Sequence, residues 1–241
     1  MSTALILGIT AFFTSLIAAI IGFGGGMLLI AILPIFIAPA LVIPLHGVTQ
    51  LASNASRATF SWRFVQWALL PPFLAGSIIG SLLFGVILLG LPTTYIPCAI
   101  GLYLLLNLWC PPFTRFISQF DSFYLIGALQ TGLGLIVGTT GPLSLSKLTK
   151  TLHSKDEIVA TSAVFMTISH IAKIPVFMLI THLLWQSMSL AAVMVSCAII
   201  GSFIGTRLRL KTNNTALIAV IKWLLSLLAL NMIYSTIVRF F

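Results

Sequence analysis

An all-α polytopic membrane protein is the fold class this sequence predicts, and three observations carry it. The chain of 241 residues is 59% hydrophobic and only 6% charged, with a mean hydropathy of +1.17. A soluble domain carries roughly a quarter charged residues, so this chain cannot clothe a water-facing surface. Its apolar runs reach the roughly 20 residues that a helix needs to cross the hydrocarbon core, too long for core strands, which makes the spans helical rather than barrel-forming. No Asp, Glu, Lys or Arg occurs from Met1 to Ser56 or from Phe64 to Thr114.

The formal charge of +9 does not point to nucleic acid, because the basic residues are scattered at segment ends, as topology signals are. Cys98, Cys110 and Cys197 lie in or beside apolar segments without pair or metal spacing, and read as packing residues. The first apolar run lacks the basic start of a cleaved signal peptide and is expected to stay in the mature chain.

Taken in order, Thr3 to Ile21 is an apolar run that ends at Gly22-Phe23-Gly24-Gly25-Gly26. A second run, Met27 to Leu45, carries Pro34, Pro39 and Pro44, and helix is expected to resume around Leu45 to Phe60, closing on Arg57 and Arg63. Trp67 to Leu89 is a clean span whose small residues Ala75, Gly76, Gly80 and Ser81 suit close helix packing. After a turn at Leu91-Pro92, Thr94 to Trp109 is the next span. Cys110-Pro111-Pro112 closes it, and the stretch to Asp121 reads as a central linker. The division is therefore a first repeat over 1–112, a linker over 113–122 and a second repeat over 123–241.

The second half replays the first. Phe123 to Val137 leads into a second break, Gly138-Thr139-Thr140-Gly141-Pro142. Leu143 to His153 is polar and too short to cross a bilayer. Ile158 to Thr181, Leu190 to Thr206 and Ala216 to Val238 are spans, with Trp185 marking an interface. Gly22 and Gly25 match Gly138 and Gly141, and Val48-Thr49-Gln50-Leu51 matches Ala160-Thr161-Ser162-Ala163. Internal duplication is common in transporters, whose sites lie between the repeats.

Loop charge decides between two topologies. Eight plain spans, four in each half, would put Arg57, Arg63 and Arg115 opposite Lys147, Lys150, Lys155, Arg207, Arg209 and Lys211, against the cytoplasmic bias of basic residues. If each glycine break is instead the tip of a re-entrant hairpin, all nine fall on one face, with Arg239 opposite. The charges therefore favour two inverted repeats, each a broken helical element plus three spanning helices, with the basic loops cytoplasmic.

Glycine clusters let the backbone leave a helix, and the free amides and positive dipole end of the next helix can hold an anion. Pro142 suits a first helical turn. Two such helix starts facing each other would suit an anionic substrate, which makes Gly24, Gly25, Gly26, Thr139, Thr140 and Gly141 candidate site residues. Tight helix crossing is the simpler role for the glycines. On the following helices, His46, Thr49, Gln50, Ser53, Asn54 and Arg57 recur at spacings of three and four, which puts His46, Gln50, Ser53 (or Asn54) and Arg57 near one face, matched by Thr161, Ser162, Thr167, His170 and Lys173. Gln50, Asn54, Thr161 and Ser162 are candidates for substrate contact, against interhelical hydrogen bonding. His46 and His170 are candidate proton carriers, since histidine titrates near neutral pH, against histidines bonded to backbone. Arg57 and Lys173 are candidate anion partners; snorkelling to the interface is the default for a cation near a helix end, and Lys173 lies deeper in its run.

No paired intramembrane carboxylates, metal-ligand spacing, nucleophile motif or phosphate-binding loop is present, so the sequence predicts no enzyme and no cofactor. The Gly22–Gly26 cluster, the apolar stretch with Pro34, Val48-Thr49-Gln50-Leu51 and the weaker second copy resemble the sulfite exporter TauE/SafE family over essentially the whole chain. The Thr139-Thr140 pair stands where that family often has further glycine. Gln50 and His46 depart from its Thr-Ser signature, which bears on the substrate rather than the fold. The resemblance implies a secondary transporter of small sulfur-containing or organic anions in the bacterial plasma membrane. Its partners would be the anion, the lipid bilayer and a coupling proton or Na+; an oligomer is compatible with it.

Overall fold

The computed structural model describes residues 2–22, 24–180, 182–208 and 215–238, and every regular element among them is helical. Phe23 in the first break, Thr181, Arg209 to Lys211 and Arg239 lie outside the described residues. The first half runs through α1 (Thr3–Ile21), α2 (Gly25–Ile32), α3 (Pro39–Phe60), α4 (Leu70–Leu89) and α5 (Ile96–Trp109). α6 (Pro111–Ser118) leads to the second half: α7 (Phe123–Val137), α8 (Gly141–Thr151), α9 (Lys155–Ile180), the short α10 (Leu183–Gln186), α11 (Met188–Leu208) and α12 (Thr215–Val238).

α1 and α7 occupy the two runs that the sequence marked before its glycine breaks. α3 does not start at Leu45; it starts at Pro39 and carries Pro44 inside. Proline is favoured in a first turn, where its missing N–H would have no partner, so Pro39 opens the helix rather than breaking it. The stretch after Pro111 is helical too, since Pro111 and Pro112 occupy the first turn of α6, and α5 and α6 meet at 89°.

Five described helical segments are long and apolar enough to cross a membrane: Thr3–Ile21, Trp67–Leu89, Lys155–Leu179, Met188–Leu208 and Ile218–Val238. Their outward faces are large and apolar, as Leu82, Val86, Leu227 and Leu179 illustrate, the last 87% exposed. Such faces suit lipid, where helices associate through close packing because hydrocarbon supplies no hydrophobic drive between them. α1 packs along α11, and α7 along α4, at backbone distance. A β-carbon at Gly201 or Gly205 of α11 would overlap the carbonyls of Phe12 or Leu16 in α1. At Gly76 or Gly80 of α4 it would overlap those of Tyr124 or Ala128 in α7. α3 and α9 cross in the interior, and α5 packs on α12. Phe73 of α4 stacks on Phe165 of α9, ring centroids 3.9 Å apart, where α4 meets α9.

One end of the bundle gathers basic residues. Asp156 at the start of α9 and Arg207 at the end of α11 share a crevice with Phe60, the last residue of α3, and Phe64 beyond it. Glu157 Oε1 accepts a hydrogen bond from Gln66 Nε2 at 2.7 Å. Lys147 pairs with Asp121 and lies over the Phe123 ring, so α8 descends beside the point where α7 begins. The hydrogen bond and charge of Lys147 hold the Asp121 carboxyl below its usual range. Both groups contact water, so the pair adds little stability.

A polar ladder joins α4, α7 and α9: Thr131 Oγ1 donates to Ser77 Oγ at 2.9 Å and lies 3.1 Å from Ser169 Oγ. Interhelical hydrogen bonds of this kind average about 0.6 kcal/mol in membranes. Ser77→Ala is therefore expected to lower stability by about that amount, read from reversible unfolding in mixed micelles. A loss above about 2 kcal/mol would contradict it.

Candidate functional site

α1 stops because Gly22 takes φ +100°, a left-handed backbone that favours glycine, and Gly24 follows at φ +89°. α7 stops the same way at Gly138, φ +75°. After each break the chain returns against the helix it has just left. Gly25 lies so close to the Thr14 carbonyl that no β-carbon fits there. In the second break, Thr140 Oγ1 donates to Gln130 O at 2.6 Å, and Ser144 N donates to Gln130 Oε1 at 3.1 Å.

The two breaks meet across one small cavity of about 40 Å³. The breaks supply Gly24, Gly26, Thr139 and Gly141; α3 supplies Gln50, Asn54 and Arg57; α9 supplies Ser162. A β-carbon at Gly26 would lie 3.1 Å from Gln50 Oε1 and 3.6 Å from Thr139 Oγ1, so the halves touch at this point. Arg57 is buried, with Nη1 donating to Ala18 O at 2.8 Å and Nη2 to Asn54 Oδ1. Asn54 Nδ2 in turn donates to Gln50 O at 2.7 Å and to its Oε1 at 3.4 Å. This chain of bonds fixes three side chains on one face of α3, while Gln50 Nε2 has no partner among the described residues. Unmet buried donors are costly, so a ligand acceptor in the cavity would stabilise this one.

The two helix starts are not equivalent. Among the described residues no side chain caps the first turn of α2, which leaves its positive end available to an anion. At α8, Gln130 takes the Ser144 amide and Pro142 has no N–H to offer. The matched pair of helix starts expected from the sequence is thus one open start and one largely capped by its own half.

The chain has three acidic residues, and all lie away from the cavity: Asp121 in the connection before α7, Asp156 and Glu157 in the first turn of α9. The site is accordingly rich in donors and cationic. A second cavity of about 420 Å³, mostly apolar, adjoins it through Gly24, Met27 and Pro142. Lys222 on its wall lies 3.8 Å from the centroid of the Trp109 ring, whose Nε1 donates to Ser226 Oγ at 2.7 Å.

Other residues marked from the sequence stand off the cavity. Gly25 and Thr140 brace the breaks, as above. Thr161 Oγ1 accepts a hydrogen bond from Gln66 N at 3.0 Å, which commits it to the turn before α4. His46 Nε2 donates to Gly26 O at 3.0 Å. Lys173 donates to Gly138 O and lies 3.1 Å from His170 Nδ1. Arg57 and Lys173 do not snorkel: each is buried with a terminal nitrogen on a carbonyl, at the end of α1 or just past α7.

Sequence reasoning passed over Gln130, which lies wholly buried in α7 and organises the second break. The signal was a lone amide in an apolar run, since a polar side chain inside a membrane is expensive and usually functional.

No curated protein and no solved structure matches the chain significantly. A family model described as sulfite exporter TauE/SafE matches residues 7–232. That match spans nearly the whole chain, including both glycine breaks and the helices that line the cavity between them. The chain is a multi-pass membrane protein belonging to the sulfite exporter TauE/SafE family of membrane transporters.

Proposed function

We propose that this chain is a secondary transporter, not an enzyme, that carries a small sulfur-containing or organic anion across the bacterial plasma membrane by alternating access. The observation that carries the reading is the cavity between the breaks: small, donor-rich, without a carboxylate, and lined from both halves of the chain. Sulfite, sulfonates and related acids match it in their need for hydrogen-bond donors. The open start of α2, Arg57, Gln50, Asn54, Thr139 and Ser162 would hold the anion.

The mechanism works between two inverted repeats, 1–112 and 123–241, joined by the 113–122 connection. Exchanging α1 with α7, α3 with α9, α4 with α11 and α5 with α12 turns the main packing pairs into one another. Each half also has a left-handed glycine break followed by a return onto the preceding helix. The pairing of Lys147 with Asp121 supports a second hairpin that enters and leaves on one side. Rocking of one repeat against the other would then expose the cavity to each face in turn.

Exchange of labelled for unlabelled sulfite, sulfoacetate or thiosulfate in proteoliposomes tests the reading. Saturable exchange of at least one anion is expected. The double variant Gln50→Ala, Ser162→Ala removes two hydrogen bonds to a charged acceptor, worth about 1.5 kcal/mol each, so apparent affinity should fall about a hundredfold or more. No saturable movement of any anion would sink the proposal, and flux far above carrier rates would make the protein a channel.

A further inference from the structure

We propose that His46, His170 and Lys173 form the site of a proton that travels with the anion. The proposal rests on the transporter reading above and adds the coupling ion to it.

The crossing of α3 and α9 brings the rings of His46 and His170 edge to face, centroids 5.5 Å apart. Both side chains and Lys173 are buried. Because Gly26 O can only accept, His46 Nε2 carries its hydrogen, and Nδ1 is left as a bare lone pair in the neutral ring. Among the described residues that Nδ1 has no partner. Lys173 donates to Gly138 O, and its nitrogen also meets His170 Nδ1 at 3.1 Å. With Lys173 as the donor to Nδ1, His170 carries its hydrogen on Nε2, which likewise has no partner among the described residues. The group thus has a vacant acceptor beside an unmet donor, in an interior where such vacancies are rare.

The cluster also grips both breaks. His46 bonds the first at Gly26, and a β-carbon on Gly138 in the second would lie 3.8 Å from His46 Nδ1. Lys173 bonds the second at Gly138. A proton gained or lost here changes the ties that hold the two break elements around the cavity.

The charge balance points to co-transport. α3 contributes His46 and Arg57 to this interior, and α9 contributes His170 and Lys173. α1, α2, α4 and α10 have no titratable side chain, and α7 has only Tyr124 near its start. α5 adds Cys98 and Tyr103, the turn before it Tyr95, α11 adds Cys197 and Arg207, and α12 adds Lys222 and Tyr234. Lys147 and Lys150 on α8, Arg63 in the Trp62–Phe64 turn, and Asp156 and Glu157 at the start of α9 belong to the basic end of the bundle. No carboxylate neutralises the added charge of a protonated cluster, so an anion in the adjoining cavity does. Binding of the anion and binding of the proton then favour each other by the same factor.

The test uses purified protein in liposomes with a trapped pH dye and radiolabelled sulfite, under alkaline conditions where sulfite is mainly dianionic. Sulfite uptake should acidify the lumen. A pH gradient of about one unit should support up to about a tenfold sulfite accumulation per coupled proton. His170→Gln and His46→Gln should still exchange sulfite for sulfite, while losing accumulation driven by the pH gradient. Net sulfite uptake by the wild type without acidification of the lumen would overturn the coupling and leave the transport reading standing. Proton movement that persists in both variants would show the proton moving as bisulfite, and would also overturn it. Absence of wild-type exchange for sulfite, sulfoacetate and thiosulfate alike would remove the transport reading and the coupling together. The wild-type measurement decides even where a variant fails to assemble.

Discussion

Gly25→Ala is expected to cost about 3 kcal/mol or more, and to leave little folded transporter. The added methyl would overlap the Thr14 carbonyl and come within 2.8 Å of Ala18 Cβ. Overpacking usually costs about 1–3 kcal/mol when side chains can yield, and here the main obstacle is backbone. The strain cannot be relieved cheaply, because moving Thr14 moves α1 against α11, where Gly201 and Gly205 already hold the two backbones together. Gly24→Ala is the control. Its methyl would meet only Ile221, at 3.7 Å, so the cost is that of a left-handed alanine, about 1–2 kcal/mol. Melting temperature and the monodisperse fraction in detergent rank the two. Wild-type behaviour of Gly25→Ala would contradict the packing of the first break.

Arg57→Gln should weaken sulfite binding by about 3 kcal/mol, a hundredfold or more in apparent affinity during exchange. Arg57 reaches the cavity while one nitrogen holds Ala18 O and another holds Asn54 Oδ1. It joins the end of α1 to the side chains that line the site. Loss of the guanidinium removes the charge and also frees Asn54 and Gln50 from their fixed orientation. Arg57→Lys should restore only part of the affinity, because an ammonium keeps the charge but cannot reproduce the planar fork of donors. Unchanged affinity in Arg57→Gln would place the anion elsewhere.

Much of this was legible in the chain. The α1 and α7 runs, the two glycine breaks and the polar face of α3 are local patterns, each set by periodicity or by a residue whose backbone is permissive. Gln50 and Asn54 were marked for the cost of polar groups in a membrane, and both line the cavity. Thr161 carried the same signal, yet its hydroxyl is committed to Gln66 N. Polarity alone does not say which partner a hydroxyl finds. Arg57 and Lys173 looked able to reach water along their stems, and instead bury their terminal nitrogens on carbonyls at the ends of helices that the sequence could not place beside them.

The sequence by itself determined that this is a helical membrane protein with two glycine breaks, because hydropathy and glycine chemistry are properties of short stretches. Only the tertiary structure decided that both breaks close on one cavity, that Gln130 caps one helix start while the other stays open, and that His46 meets His170. Those pairings depend on how α3 crosses α9 and how each hairpin folds back. Such crossings are set by close packing between segments far apart in the chain, which no local pattern encodes.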